Sequence, residues 1–238
     1  MTDQPHLRSD SHDYEHSNKA YYDEHAQEYD ERPNAQILAR RLASAMRRKH
    51  GGLFDEDTTT LMDYACGTGL MSRELCPYVK SVVGVDISQG MVDQFNLRAF
   101  NQGLPPEEMK AVCLDLKRED HEFCGAKFNV IVCSLAYHHF PSIQDVTSLL
   151  ASFLEPEGSL LVADIFRDTI QTDIFPDQGI SGHGHIVAHQ RGFDKEELRA
   201  TFATAGLELK DFSVVTSGKM HGEEVDFFLA HGVKHSSV

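Results

Sequence analysis

Basic residues are scarce in this chain. Of its 238 residues, 22 are lysine or arginine against 37 aspartate or glutamate, a formal net charge of −15 with histidine neutral. Such a surface repels phosphate backbones and no basic stripe offsets it, so no nucleic-acid partner is expected. The one locally basic stretch, RRLASAMRRK at 40–49, reads as the solvated face of a helix. Long apolar runs are also missing. None approaches the length of a membrane span, so no membrane insertion is expected. Residues 1–19, MTDQPHLRSDSHDYEHSNK, lack the apolar middle of a secretory signal. The default compartment is therefore the cytoplasm, with the nucleus as the alternative. The cysteines at 66, 76, 113, 124 and 133 are odd in number and show neither zinc nor Cys-x-x-Cys spacing. Reduced thiols are expected, with Cys66 filling a tight corner rather than reacting.

What is present is enough apolar residue, 41%, for one large domain with a buried core. Residues 1–18 are polar and aperiodic and read as a disordered tail. Residues 19–50 read as an N-terminal helical extension, or lid, broken near Pro33, with Ile37, Leu38, Leu42 and Met46 at helical spacing. Residues 51–238 form the main domain. In it, apolar segments such as TTLMDY, SVVGVDIS, KAVCLDL, KFNVIVCSLA and GSLLVADIF alternate with helical ones. Continuously apolar strands alternating with helices predict an α/β fold, a doubly wound, mostly parallel sheet covered on both faces. Residues 167–192 break the rhythm as an irregular insertion, a candidate lid on the acceptor side. Asp194 and Glu197 then have the spacing of a helix N-cap and its N3 partner, and Gly206 marks that helix's end. ELKDFSVVTS and EVDFFLAHG predict a closing antiparallel pair.

The segment LMDYACGTGL, residues 61–70, carries the functional signal. A buried strand ends at Asp63 and leaves through a turn built on Gly67 and Gly69. In an open parallel sheet, ligands bind beyond the carboxyl ends of the strands. Glycine there lets a ligand rest against bare backbone. The next strand ends in Asp86, placed to accept hydrogen bonds from the two hydroxyls of a ribose. The third strand ends in Asp115, where it would border an adenine. A dinucleotide site would want glycine at position 72 for close helix–strand approach over a pyrophosphate, but Ser72 is there. Asp63 is also a poor neighbour for pyrophosphate and a good one for a cation. S-adenosylmethionine, with a sulfonium, an ammonium and no phosphate, fits better.

At this point the motifs LMDYACGTGLMSREL, VVGVDIS, CLDL, FNVIVCSLAYHHF and LEPEGSLLVADIF together resemble those of the class I S-adenosylmethionine-dependent methyltransferases. The similarity is strongest to the branch with the ubiquinone and small-molecule enzymes, and it covers residues 20–231. It implies a seven-stranded Rossmann-like sheet with an antiparallel C-terminal hairpin. It also implies that Asp63, Gly67 and Gly69 surround the methionine part of the cofactor, and that Asp86 holds the ribose with Ile87 against the adenine. Asp115 and Leu116 would flank the adenine's other side, and Ser134 would line the transfer cleft. Ala65 stands where many members have glycine, and Glu157 replaces another common glycine. The product would be S-adenosylhomocysteine.

Methyl transfer from a sulfonium is an in-line displacement that requires mostly alignment and exclusion of water. Candidate catalytic groups are correspondingly few. Tyr21, Tyr22 and Tyr29 belong to a helical segment that related enzymes fold over the cofactor, and Tyr29 is taken as a cofactor contact. His138 and His139 follow the fourth strand at the cleft and can orient or deprotonate an acceptor. His189, with His183 and His185, lies in the insertion, where it would face substrate. Flanking glycines make helical pairing of these histidines doubtful, and no metal is expected. The leading expectation is methyl transfer to a small-molecule acceptor. The alternative is a regulatory protein methyltransferase or adaptor that works through a protein partner. An NAD-type oxidoreductase is disfavoured by Ser72.

Overall fold

The computed structural model describes residues 14–31, 33–116, 123, 125–167, 186–220 and 223–235. Seven strands form one sheet: β1 (Thr60–Tyr64), β2 (Ser81–Asp86), β3 (Met109–Cys113), β4 (Phe128–Ser134), β5 (Leu154–Ile165), β6 (Leu207–Met220) and β7 (Glu223–Lys234). Their spatial order is β3-β2-β1-β4-β5-β7-β6. The first five pair in parallel, and β7 inserts antiparallel between β5 and β6. The α/β class and the antiparallel pair at the end of the chain are therefore as the apolar pattern implied. The chain runs outward from β1 to β3, then returns to β4 on β1's other side. The order reverses between β1 and β4, and a crevice opens there beyond the strands' carboxyl ends.

Among the described residues, six helices flank the sheet: α1 (Tyr14–His25), α2 (Pro33–Lys49), α3 (Leu70–Leu75), α4 (Gln89–Asn101), α5 (Ile143–Ser152) and α6 (Lys195–Thr204). Three carry side-chain caps that their sequences encode. Ser88 accepts from Met91 N on α4, Ser142 from Asp145 N on α5, and Asp194 from Glu197 N on α6. The central strands β1 and β4 are buried almost throughout, since both sheet faces are covered. Two apolar clusters result. One gathers Leu61, Phe95 and Val130, and the other gathers Met62, Ile131 and Phe202. Among the described residues, no helix is long and apolar enough to cross a membrane.

Helix α1 starts at Tyr14, inside the stretch read as a disordered tail. Its own residues are polar, with no apolar stripe to announce it. Tertiary bonds hold it instead. The amide of buried Asn18 donates to the Ile186 carbonyl at 2.9 Å and to the Tyr14 carbonyl at 2.7 Å. Asp23 accepts from Ser88 Oγ at 2.7 Å and from Gly90 N at 3.0 Å, which ties α1 to the start of α4. Asp30, between α1 and α2, accepts from Thr68 Oγ1 and pairs with Arg73 and Arg98, each at 3.0 Å. The N-terminal extension is thus laced onto the glycine turn. Of the insertion expected at 167–192, residues 168–185 lie outside the described residues, and so do His183 and His185.

Gly84 in β2 supports that turn from below. A Cβ there would stand 2.7 Å from Cys66 Sγ and 2.8 Å from Phe95 Cε2. Gly84→Ala is expected to destabilise the fold by about 1–3 kcal/mol through overpacking. Urea unfolding measures this, and an unchanged midpoint would show that Phe95 gives way at no cost.

Candidate active site

The crevice between β1 and β4 holds a cavity of about 320 Å³, within the range that takes small molecules. The sequence-predicted Tyr29, Asp63, Ala65, Gly67, Asp86, Ile87, Asp115, Ser134 and His139 all line it. The glycine turn forms one wall. Gly67 has φ 53° and its N–H donates to Asp86 Oδ2 at 2.9 Å, while Ser88 N donates to Asp86 Oδ1 at 2.9 Å. A Cβ on Gly67 would meet nothing within 4 Å, so the backbone is bare on that side. Ala65 and Leu135 also line the cavity, and each has φ 56°. Left-handed backbone in residues with a Cβ is strained. The strain at position 65 accounts physically for glycine's suitability there. Glu157, at φ 61°, repeats the pattern away from the cavity.

The carboxylates at the strand ends are unusually placed. Asp63 is 2% exposed and accepts from Ser72 Oγ at 2.6 Å. Burial, with nearby Asp86 adding to it, raises its carboxyl from 3.8 to about 7 despite the Ser72 bond. Burial also raises Asp86, against the backbone N–H groups of Ser88 and Gly67. Ser72 therefore holds the acid at the end of β1. In the sequence Ser72 stands out only as a missing glycine, and the carboxylate nine residues earlier is the available clue. Asp115 lies just beyond β3, which ends at Cys113. Cys66 is buried in the turn and burial raises its thiol well above the ordinary value, so it fills the corner as expected.

The far wall comes from α1, the turn after β4 and the start of α5. His139 Nδ1 lies 2.6 Å from the Ile186 carbonyl, which can only accept, so this nitrogen carries the proton. In the neutral ring, Nε2 then accepts from the Tyr22 hydroxyl at 3.0 Å. Ser134 and Asn18 are among the lining residues, while Ser134 Oγ and Asn18 Oδ1 are themselves buried and have no hydrogen-bond partner among the described residues.

Four expected site residues fall outside the lining. His138 is 4% exposed and its Nδ1 bonds Asp164 Oδ1 at 2.8 Å behind the wall. Burial would raise Asp164, but the charge and hydrogen bond of His138 outweigh it and hold the carboxyl below its usual value. This buried pair supports the loop rather than facing the cavity. His189 Nε2 bonds the Phe140 carbonyl at 3.0 Å, and its backbone N–H donates to the His138 carbonyl. Gly69, at φ 84°, caps α3, and its Cβ would stand 2.6 Å from Phe95. Leu116 is packed in the core. Sequence reasoning missed Asn18, Asp30 and the Ile186 carbonyl, which reach the site only through long-range contacts.

The fold and its crevice define a Rossmann-like α/β domain, the fold that the solved methyltransferases named below share. Comparisons agree. A methyltransferase-domain family profile matches residues 61–158. An uncharacterized methyltransferase of Schizosaccharomyces pombe is 40% identical over 153 residues, 62% of this chain and 53% of that protein. A ubiquinone biosynthesis O-methyltransferase of Pseudoalteromonas translucida is 28% identical over 122 residues, 51% of this chain and 47% of that protein. The chain thus spans about half the length of these curated relatives. Among solved structures, an S-adenosylmethionine-dependent methyltransferase from Clostridium acetobutylicum superposes with TM-score 0.64 at 18% identity, covering 91% of this chain and 100% of that one. Magnesium protoporphyrin IX methyltransferase from Synechocystis, with bound S-adenosylmethionine, gives 0.63 at 15%, covering 93% and 97%. Residues 61–158 thus match a methyltransferase-domain family, and the sheet has the fold of the solved methyltransferases.

Asp63 offers a test of the site's electrostatics. Its folded value lies above its unfolded one, so the folded state holds a proton that the unfolded state releases. In the ligand-free protein this group costs stability as pH rises from about 4 to 7. Asp63→Asn is expected to lose less stability than the wild type between pH 5 and pH 8. Urea titration at the two pH values measures it, and equal losses would mean the carboxyl ionises normally.

Proposed function

We propose that the protein is an S-adenosylmethionine-dependent methyltransferase that acts on a small-molecule acceptor by in-line displacement. The supporting observation is the cavity at the β1–β4 reversal. It combines a bare glycine turn with a buried acid at the end of β1 and a half-buried one at the end of β2. The cofactor would supply a methyl group already activated on a sulfonium. Asp86 would hold the ribose, Ile87 and Asp115 would border the adenine, and Asp63 with Gly67 would face the cationic methionine end. Asp63 gives up its proton most readily beside a cation, which favours this polarity of binding.

The chain's own contribution is enclosure and proton handling. Tyr22, Tyr29 and α1 close the cavity against water. His139, with its Nε2 unprotonated and held beside the Tyr22 hydroxyl, can take up a proton from the acceptor. His138 is a positioning group that fixes the turn through Asp164. Unpaired Cys66, Cys76, Cys113 and Cys133 favour a reducing compartment, the cytosol or nucleus.

Calorimetric titration with S-adenosylhomocysteine is expected to show binding, and titration with NADH none. Asp86→Ala should weaken the former by about 1–3 kcal/mol, since it removes buried hydrogen bonds. Circular dichroism checks that the variant is folded. A folded wild-type protein indifferent to S-adenosylhomocysteine would overturn the assignment.

A further inference from the structure

Both ring nitrogens of His139 are tied to one face of α1. Asn18 and Tyr22 are four residues apart on that helix, so they lie on the same side of it. The Tyr22 hydroxyl meets His139 Nε2 at 3.0 Å. The Asn18 amide donates at 2.9 Å to the Ile186 carbonyl, the same oxygen that takes the His139 Nδ1 proton at 2.6 Å. A carbonyl oxygen has two lone pairs and accommodates both donors. Asn18 thus holds in place the acceptor that fixes the imidazole's proton, and Tyr22 donates to the nitrogen that the proton leaves. From the other side, the Ala188 and His189 N–H groups donate to the His138 carbonyl and anchor the Ile186 segment on the turn after β4. The shared oxygen therefore lies between that turn and a helix that has to be seated.

What seats the helix belongs to a different element. Asp23 Oδ1 accepts from Ser88 Oγ at 2.7 Å and from Gly90 N at 3.0 Å, so a residue of α1 completes the N-terminal cap of α4. The dipole of α4 favours a carboxylate at that end. The two helices are in contact there, since a Cβ on Gly90 would stand 3.0 Å from the Asp23 carbonyl oxygen and 3.2 Å from Ala26 Cβ. Asn18 is the one buried residue of α1. Directional polar bonds, rather than apolar area, decide whether this helix is seated.

We infer that α1 is a positioning element for His139: Asp23 latches it on the cap of α4, and the seated helix, through Asn18 and Tyr22, sets which nitrogen of His139 carries the proton. A neutral imidazole in water prefers its proton on Nε2, so the Nδ1–H form has to be imposed by its partners. With α1 seated, the cavity is covered on that side and Nε2 is an acceptor. With α1 released, the cavity is open and Nε2 carries the proton, so the nitrogen beside Tyr22 has no lone pair to offer. Closure and the readiness of the base become one event. The catalytic use of this coupling rests on the methyltransferase reading, in which His139 takes a proton from the acceptor. The coupling itself does not depend on it.

Long-range proton–nitrogen NMR reads the tautomer on the full, ligand-free chain labelled at histidine, at a pH of about 8, where an ordinary imidazole is neutral. His139→Gln identifies the His139 signals among those of the 14 histidines. The wild type should show a protonated Nδ1 and an unprotonated Nε2. Asp23→Lys puts a cation at the start of α4 and should release α1, with amide exchange across residues 14–25 faster by about tenfold or more. In that variant His139 should move to the Nε2–H form. Asp23→Asn keeps the accepting oxygen and should preserve the wild-type pattern. Asn18→Leu should shift part of the population toward Nε2–H, with circular dichroism checking that each variant is folded. The inference is overturned by a wild-type proton on Nε2, by an α1 that stays seated in Asp23→Lys, or by His139 signals unchanged in either Asp23→Lys or Asn18→Leu. Failure of S-adenosylhomocysteine to bind the wild type is a separate result, which removes the methyltransferase reading and leaves the coupling to be judged on the NMR alone.

Discussion

Keeping carboxylates inside a protein is the constraint around which this molecule is arranged. Buried acids are costly unless donors surround them, and each acid near the crevice has its own solution. Asp86 takes two backbone N–H groups, Gly67 and Ser88. Asp63 has the hydroxyl of Ser72, and burial raises its carboxyl to about 7. Asp30 is neutralised by Arg73 and Arg98. Asp164 has His138. The differences separate their tasks. Asp30 and Asp164 act as structural clamps, whereas Asp63 and Asp86, held by neutral donors, line the crevice.

The clamps explain how a polar N-terminal helix comes to close a binding site. Helix α1 has little apolar surface with which to dock. It is held by Asp23 on the cap of α4, by Asn18 on the Ile186 carbonyl, and by the following Asp30 on the glycine turn. Each anchor is polar and specific in direction, and each ends on an element that also shapes the cavity. Covering the site and building it are consequently one set of bonds. That arrangement lets a polar helix seat beside the cavity without a large hydrophobic interface.

Much of this was legible in the residues alone. The strands announced themselves because burial on both faces demands uninterrupted apolar residues, as in Val130, Ile131 and Val132. Asp63, Gly67 and Asp86 were readable because their positions follow from where strands end, which is local information. The rest depended on contacts between distant segments. Nothing around Asn18 or Asp30 signals a partner more than thirty residues away, and a histidine pair such as His138–His139 gives no hint of which ring turns inward. Only the fold shows that Asp164 captures the first and leaves the second at the cavity. Ser72 lay between these cases, since its separation from Asp63 is short but its role requires knowing that the strand and helix are adjacent.

The group that sets the proton on His139 is the main-chain oxygen of Ile186. Every amino acid, proline included, carries a carbonyl there. Residue 186 can therefore drift among side chains that fit its buried pocket while the imidazole's orientation is inherited unchanged. Mutational erosion of this feature would have to act on the path of the backbone, so comparisons of side chains at that position would understate its importance.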